Sequence, residues 1–291
     1  MKIYIPFLYS EKVKRPDKKY FLLSILGEDF IILLLSFTFI SDNPFYNAFG
    51  LFLLQASFWC IYEIGYIEND LIGDKFEDKA VLSCNYNSHK YSFGLWQPWI
   101  WALGLSIFGI IFLNRSTIAL SNELNVSLSA TDNIELFIIS RSLLYWLAFL
   151  FLLRILFHIY NHINKKSRVW FYLFLQTCRY CCYLILLTTN TVGLVLLVSK
   201  IITRSIQYVL YRYVGGKNGD WPMYFPHYFF YLLIFILILG ATAANERNIA
   251  LMFNYQVLSI IIFCLVRGCK HFQTVFFQFV HVSKDGSNRV F

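Results

Sequence analysis

Residues 226–244 read PHYFFYLLIFILILGATAA, a run without a single Asp, Glu, Lys or Arg. At about 1.5 Å of rise per residue, a helix of this length spans roughly the 30 Å of hydrocarbon in a bilayer. Comparable runs recur at about 20–40, 48–66, 96–113, 135–160, 169–188, 190–208 and 249–267. They are solid apolar blocks and lack the period-two alternation of a transmembrane β-barrel strand. The composition agrees, because 58% hydrophobic and 14% charged residues leave too little charge to wet a soluble domain of 291 residues. The expected fold is an all-α, polytopic integral membrane helical bundle. Eight transmembrane helices are expected, with 268–282 open as a surface or distorted ninth. The fifth and sixth spans are expected to meet at a tight turn, Thr188-Thr189-Asn190. Met1–Lys19 is too polar for a cleavable signal, so the first span is expected to be retained.

Charge placement sets the expected orientation. With the N-terminus inside, Lys and Arg number six in 1–19, three in 67–95, three in 161–168, four in 200–220 and four in 267–291. The segments on the other side hold only Arg115 and Arg247. This bias puts the N-terminus in the cytoplasm, with the chain in the cytoplasmic membrane. It also accounts for the net charge of +8 without a nucleic-acid partner. Residues 1–291 read as one transmembrane domain, with spans over 20–267 and cytoplasmic-side tails at 1–19 and 268–291. Cys178, Cys181 and Cys182 lie inside an apolar run with no second pair, and they read as small hydrophobes rather than metal ligands. Trp96, Trp99 and Trp101 read as interfacial anchors of the third span.

The chemistry-bearing stretch is 61–79, IYEIGYIENDLIGDKFEDK, which holds six of the 17 acids. If the second span continues as a helix, Asp70, Asp74 and Asp78 fall at i, i+4 and i+8 on one stripe, with Glu63 and Glu77 close to it. Converging carboxylates repel unless a cation lies among them. An all-oxygen donor set suits Mg²⁺, completed by phosphate oxygens and water. The alternative is a solvated acidic helix end paired locally with Lys75 and Lys79. Glu63 and Glu68 argue for function, because ionisable groups at membrane depth are expensive.

Asp70-x-x-x-Asp74-x-x-x-Asp78 resembles the N-x-x-x-D-x-x-x-D motif of the UbiA superfamily of intramembrane prenyltransferases, with Asp70 in the Asn position; an alignment offset to Asn69 is the alternative. The order of elements is similar over most of the chain. A basic segment, KVKRPDKK, precedes the first span, YNHINKKSR at 160–168 follows the fourth, and RYVGGKNGDWP at 212–222 follows the sixth. The chain departs from the family between the sixth and seventh spans, where a second Asp-rich motif is usual and Asp220 is the only acid.

The resemblance implies a Mg²⁺-dependent prenyltransferase acting on an isoprenoid diphosphate and an aromatic or lipid acceptor. Asp70, Asp74, Asp78 and Asn69 would hold the metal, and aromatic faces would stabilise an allylic cation. Lys200, Arg204 and Arg212 are expected to grip the diphosphate in place of the second motif, Arg bidentately, with Lys165 and Arg154 as further contacts. Arg204, Tyr208 and Arg212 share one helix face by their spacing. Arg154, His158 and His162 form another stripe, the histidines read as structural, and Arg179 needs a partner inside its span. Two rivals remain: a membrane terpene cyclase, or a degenerate non-enzymatic or transport protein of the same fold.

Overall fold

The computed structural model describes residues 3–16, 18–76, 82–87, 94–118, 128–164, 167–215 and 227–284. It is all-helical, without strands among the described residues, and seven helices are long and apolar enough to cross a membrane. Together these features make the chain an all-helical membrane-spanning protein. It divides into two compact units, 1–189 and 190–291.

In the first unit, a π-helical turn at Ser10–Lys14 precedes a π-helical stretch, Phe21–Phe30, that runs into α1, Ile31–Phe37. Four longer helices follow: α2 Pro44–Phe76, α3 Trp96–Ile118, α4 Leu128–His162 and α5 Arg168–Cys181. The core lies along α2. Within its apolar window 78% of residues are buried, whereas the windows of α3 and α4 are 33% and 22% buried and turn outward. Leu54, Phe58, Trp59, Cys60 and Ile61 of α2 are fully enclosed, with Trp146, Leu150 and Leu153 of α4 and Ala102 of α3.

Lipid tails are as apolar as Leu, so burial alone does not draw helices together within a bilayer. Close packing of small residues and interhelical hydrogen bonds do. Both occur here. A Cβ added at Gly50 of α2 would stand 2.9 Å from the Gly109 carbonyl of α3, so these two backbones touch only because both positions are glycine. Ser57 Oγ donates to the Ala102 carbonyl at 2.8 Å and accepts from Trp146 Nε1 at 3.1 Å, which joins α2, α3 and α4 through one hydroxyl.

The second unit holds α6 Thr191–Leu210, continued by a π-helical turn at Tyr211–Gly215, then α7 His227–Asn245 and α8 Tyr255–Lys284. Asn190 caps α6 by accepting from Gly193 N at 2.8 Å, and its amide donates to Gln256 Oε1 at 2.7 Å. The Tyr231 hydroxyl donates to the Leu196 carbonyl at 3.2 Å, and Arg267 Nε donates to the Tyr228 hydroxyl at 3.1 Å.

Two sequence expectations need correction. The fifth span, expected at 169–188, is instead the 14-residue α5 followed by a 3₁₀ turn at Cys182–Ile185. The α-helix alone reaches about 21 Å and the 3₁₀ turn adds roughly 8 Å, so the stretch approaches the hydrocarbon thickness without being one continuous α-helix. Arg179 lies in the last turn of α5 and is buried in the protein interior. Residues 268–282 form no separate ninth helix, since α8 runs unbroken from Tyr255 to Lys284.

Candidate functional site

The second span continues as helix to Phe76, so Asp70 and Asp74 do lie one turn apart on α2. Their surroundings differ. Asp70 is buried and Asp74 is exposed. The N-terminal segment causes the difference, because it lies along the C-terminal half of α2. Glu63, fully buried, anchors it by accepting from the Tyr4 hydroxyl at 2.7 Å, from Phe7 N at 2.9 Å and from Ser10 N at 2.8 Å. Burial first, and the Glu63 carboxylate second, raise the Tyr4 phenol well above its ordinary value, so Tyr4 remains a donor. Two turns further on, the Tyr9 hydroxyl donates to Asp70 Oδ2 and Lys14 Nζ stands 2.5 Å from Asp70 Oδ1. Asn69 Nδ2 lies 3.5 Å from the same Oδ1. Among the described residues, Asp74 meets the Tyr86 hydroxyl, 3.5 Å away. Burial, followed by the Asp74 and Asp70 carboxylates, raises the Tyr86 phenol.

Behind this acidic end, aromatic rings continue inward along α2. Lys14 lies 5.4 Å over the Tyr66 ring. Tyr66 meets Tyr62 edge-on at 5.1 Å, Tyr62 meets Trp59 at 4.9 Å, and Phe157 of α4 stands perpendicular to Tyr62 at 4.5 Å. Gly65 makes this packing feasible, since a Cβ there would stand 2.4 Å from the Phe157 ring.

The close approach of α2 and α4 at Gly65 also brings Glu68 against α4. Arg154 grips it bidentately, Nη1 to Oε2 at 2.8 Å and Nη2 to Oε1 at 3.1 Å. His158 Nδ1 lies 2.8 Å from Oε1, and Asn161 Nδ2 donates to Oε2 at 3.0 Å. The stripe of Arg154, His158 and His162 expected from spacing therefore exists. Arg154 does face an acid of the 61–79 stretch.

Arg179 also finds a partner, but not in that stretch. Its guanidinium pairs with Asp29 in the Phe21–Phe30 segment, and the Tyr180 hydroxyl donates to the other Asp29 oxygen at 2.8 Å. Trp59 and Tyr62 present their rings to Arg179 at 4.9 and 5.7 Å. Sequence reasoning missed Asp29, although an acid inside the apolar run FLLSILGEDFIILLL was the available signal. It also missed Tyr4, Tyr9 and Lys14 as partners of the acids, because a basic N-terminal cluster reads as flanking charge.

The expected diphosphate grip lies mostly in the second unit. Lys200 is fully buried there, with Nζ 2.9 Å from His227 Nε2 and over the rings of Tyr231 at 4.8 Å and Tyr228 at 5.3 Å. Arg204 is half-buried on α6. Arg212 Nε donates to the Tyr208 hydroxyl at 2.9 Å, as their shared face suggested. Asp78 and Lys165 lie outside the described residues. Comparison with known proteins finds no matching family model, curated protein or solved structure.

Proposed function

We propose that the acidic end of α2 is the head-group site of a Mg²⁺-dependent membrane transferase of UbiA type, which moves a prenyl group from an isoprenoid diphosphate to an aromatic or lipid acceptor. The observation that carries this reading is the unbroken helix holding Asp70 and Asp74 one turn apart, with positive charge already drawn to Asp70. The donor set fits a hard cation, because Asn69, Asp70 and Asp74 offer oxygen only and Asp74 is open to solvent. When bound, Mg²⁺ would neutralise diphosphate charge and so ease its departure.

The chain's own residues account for the remaining roles. Lys14 pairs with Asp70, which keeps a positive charge at the proposed head-group site. The rings of Tyr66, Tyr62, Trp59 and Phe157 make the interior behind the acids electron-rich, and they already face cations, Lys14 at Tyr66 and Arg179 at Trp59 and Tyr62. In the second unit, Lys200 is committed to His227 and two tyrosine rings.

A second reading has its own observation. With Tyr9 and Lys14 on its two oxygens, Asp70 is already compensated, as expected of a non-enzymatic relative in which an ammonium has replaced the metal. Purified protein incubated with Mg²⁺ and a panel of isoprenoid diphosphates, with and without aromatic acceptors, separates these two readings and a terpene cyclase of the same fold. Pyrophosphate release with a prenylated product supports the transferase. Release with a hydrocarbon product supports the cyclase, and no release with any substrate supports the non-enzymatic relative.

A further inference from the structure

A second group of ligating side chains stands apart from the all-oxygen end of α2. Glu68, His158 and His162 each bring one ligand atom to within 4.8 Å of the others. The two histidines are four residues apart at the end of α4, and their rings lie 4.2 Å apart, tilted by 44°. Each ring already has one nitrogen engaged. His158 Nδ1 faces Glu68 Oε1 at 2.8 Å, and His162 Nδ1 lies 2.8 Å from the His158 carbonyl, an acceptor to which it can only donate. A histidine that holds a metal ordinarily gives its other N–H to a carboxylate or a backbone carbonyl, which fixes the tautomer and aims the remaining lone pair. His162 shows that pattern, with Nε2 left free, whereas His158 Nδ1 faces Glu68 itself, so the His158 ring turns or ligates through Nδ1 when Glu68 joins the ion. Glu68 is itself fixed, by the Arg154 fork and by Asn161.

We propose that His158, His162 and Glu68 form a site for a divalent transition ion of the zinc class, one that clamps α4 to α2. Imidazole nitrogen with a single carboxylate suits Zn²⁺ and its neighbours, whereas Mg²⁺ takes oxygen. Zinc–nitrogen bonds of about 2.0–2.1 Å put tetrahedral ligands roughly 3.3 Å apart, so the three atoms must close by an ångström or so. The histidine rings are exposed and have room to turn. The fourth position would be left to water. This site is separate in residues and in ion chemistry from the proposed transferase site, and its fate does not depend on that reading.

The test is a Zn²⁺ titration of the purified full-length chain in detergent, with millimolar Mg²⁺ present throughout to occupy oxygen-only sites. Wild type should take up one ion tightly, and its thermal midpoint should rise on binding. His162→Ala is the deciding variant. The His162 ring is exposed and, among the described residues, meets His158 one turn back, so removing it should leave the fold intact. It should weaken binding by about tenfold or more and abolish the rise in thermal midpoint. His158→Ala should do the same, and Glu68→Gln should weaken binding while leaving the histidines in place. An unchanged affinity in the His158→Ala/His162→Ala double variant would overturn the proposal, because the ion would then be held elsewhere. A wild type that takes up no Zn²⁺ would overturn it equally.

Discussion

Lys14 Nζ lies 2.5 Å from Asp70 Oδ1, so a residue of the N-terminal segment supplies the charge that the acidic end of α2 requires. The pair is largely shielded, at 19% and 6% side-chain exposure, and is therefore screened less than a surface salt bridge. This contact makes Lys14 a competitor for any cation at Asp70. Lys14→Ala should tighten Mg²⁺ binding in the absence of diphosphate by about tenfold, the equivalent of one charge-assisted contact at roughly 1.5–3 kcal/mol. Calorimetric titration of both proteins measures it, and equal affinities would show that Lys14 does not guard the site.

Glu63 fixes the segment that carries Lys14. Glu63→Ala removes three hydrogen bonds and leaves Phe7 N, Ser10 N and the Tyr4 hydroxyl without their acceptor. The segment should detach while the helices persist. Trypsin cleavage at Lys12 and Lys14 should then accelerate more than tenfold, as loss of a charged acceptor worth about 1.5–3 kcal/mol implies. Unchanged cleavage kinetics would mean that other contacts hold the segment.

The Asp29–Arg179 pair should behave as a buried ion pair. Breaking such a pair from one side costs about 3–5 kcal/mol, whereas replacing both partners with apolar residues is close to neutral. Asp29→Leu should therefore lower the thermal midpoint in detergent sharply, and the double variant Asp29→Leu/Arg179→Met should recover most of the loss. If the double variant were as unstable as the single one, the pair would be carrying more than charge compensation.

Orientation can be read with thiol labels on a background in which the exposed Cys84 and Cys269 are replaced. A cysteine at Asp42 and another at Lys75 flank the membrane window of α2. They should react from opposite sides, Lys75→Cys from the cytoplasm. Labelling of Lys75→Cys from the exterior would invert the topology and remove the acidic end from any cytoplasmic substrate.

The helical, membrane-spanning character was legible in the apolar blocks because bilayer thickness leaves few solutions for runs of that length. The continuation of α2 past Asp74 and the Arg154 stripe were legible too, since both follow from helical periodicity. What periodicity does not carry is the long-range pairing of charges. Lys14 with Asp70 and Asp29 with Arg179 are 56 and 150 residues apart in sequence. Both depend on how segments pack rather than on any local pattern. The change from α-helix to a 3₁₀ turn after Cys181 was hidden as well, because the apolar run 169–188 looks continuous.

The central claim is that Asp74, with Asp70, handles a diphosphate through Mg²⁺. Its most direct measurement is Mg²⁺-dependent pyrophosphate release from farnesyl or geranylgeranyl diphosphate by wild type and by Asp74→Asn. Asp74 is exposed at the helix end, so the substitution should leave the fold undisturbed. The account predicts release by wild type that requires Mg²⁺ and falls at least a hundredfold in Asp74→Asn, the loss of about 2.7 kcal/mol of transition-state stabilisation. Release that persists unchanged in Asp74→Asn, or that proceeds without Mg²⁺, would contradict it.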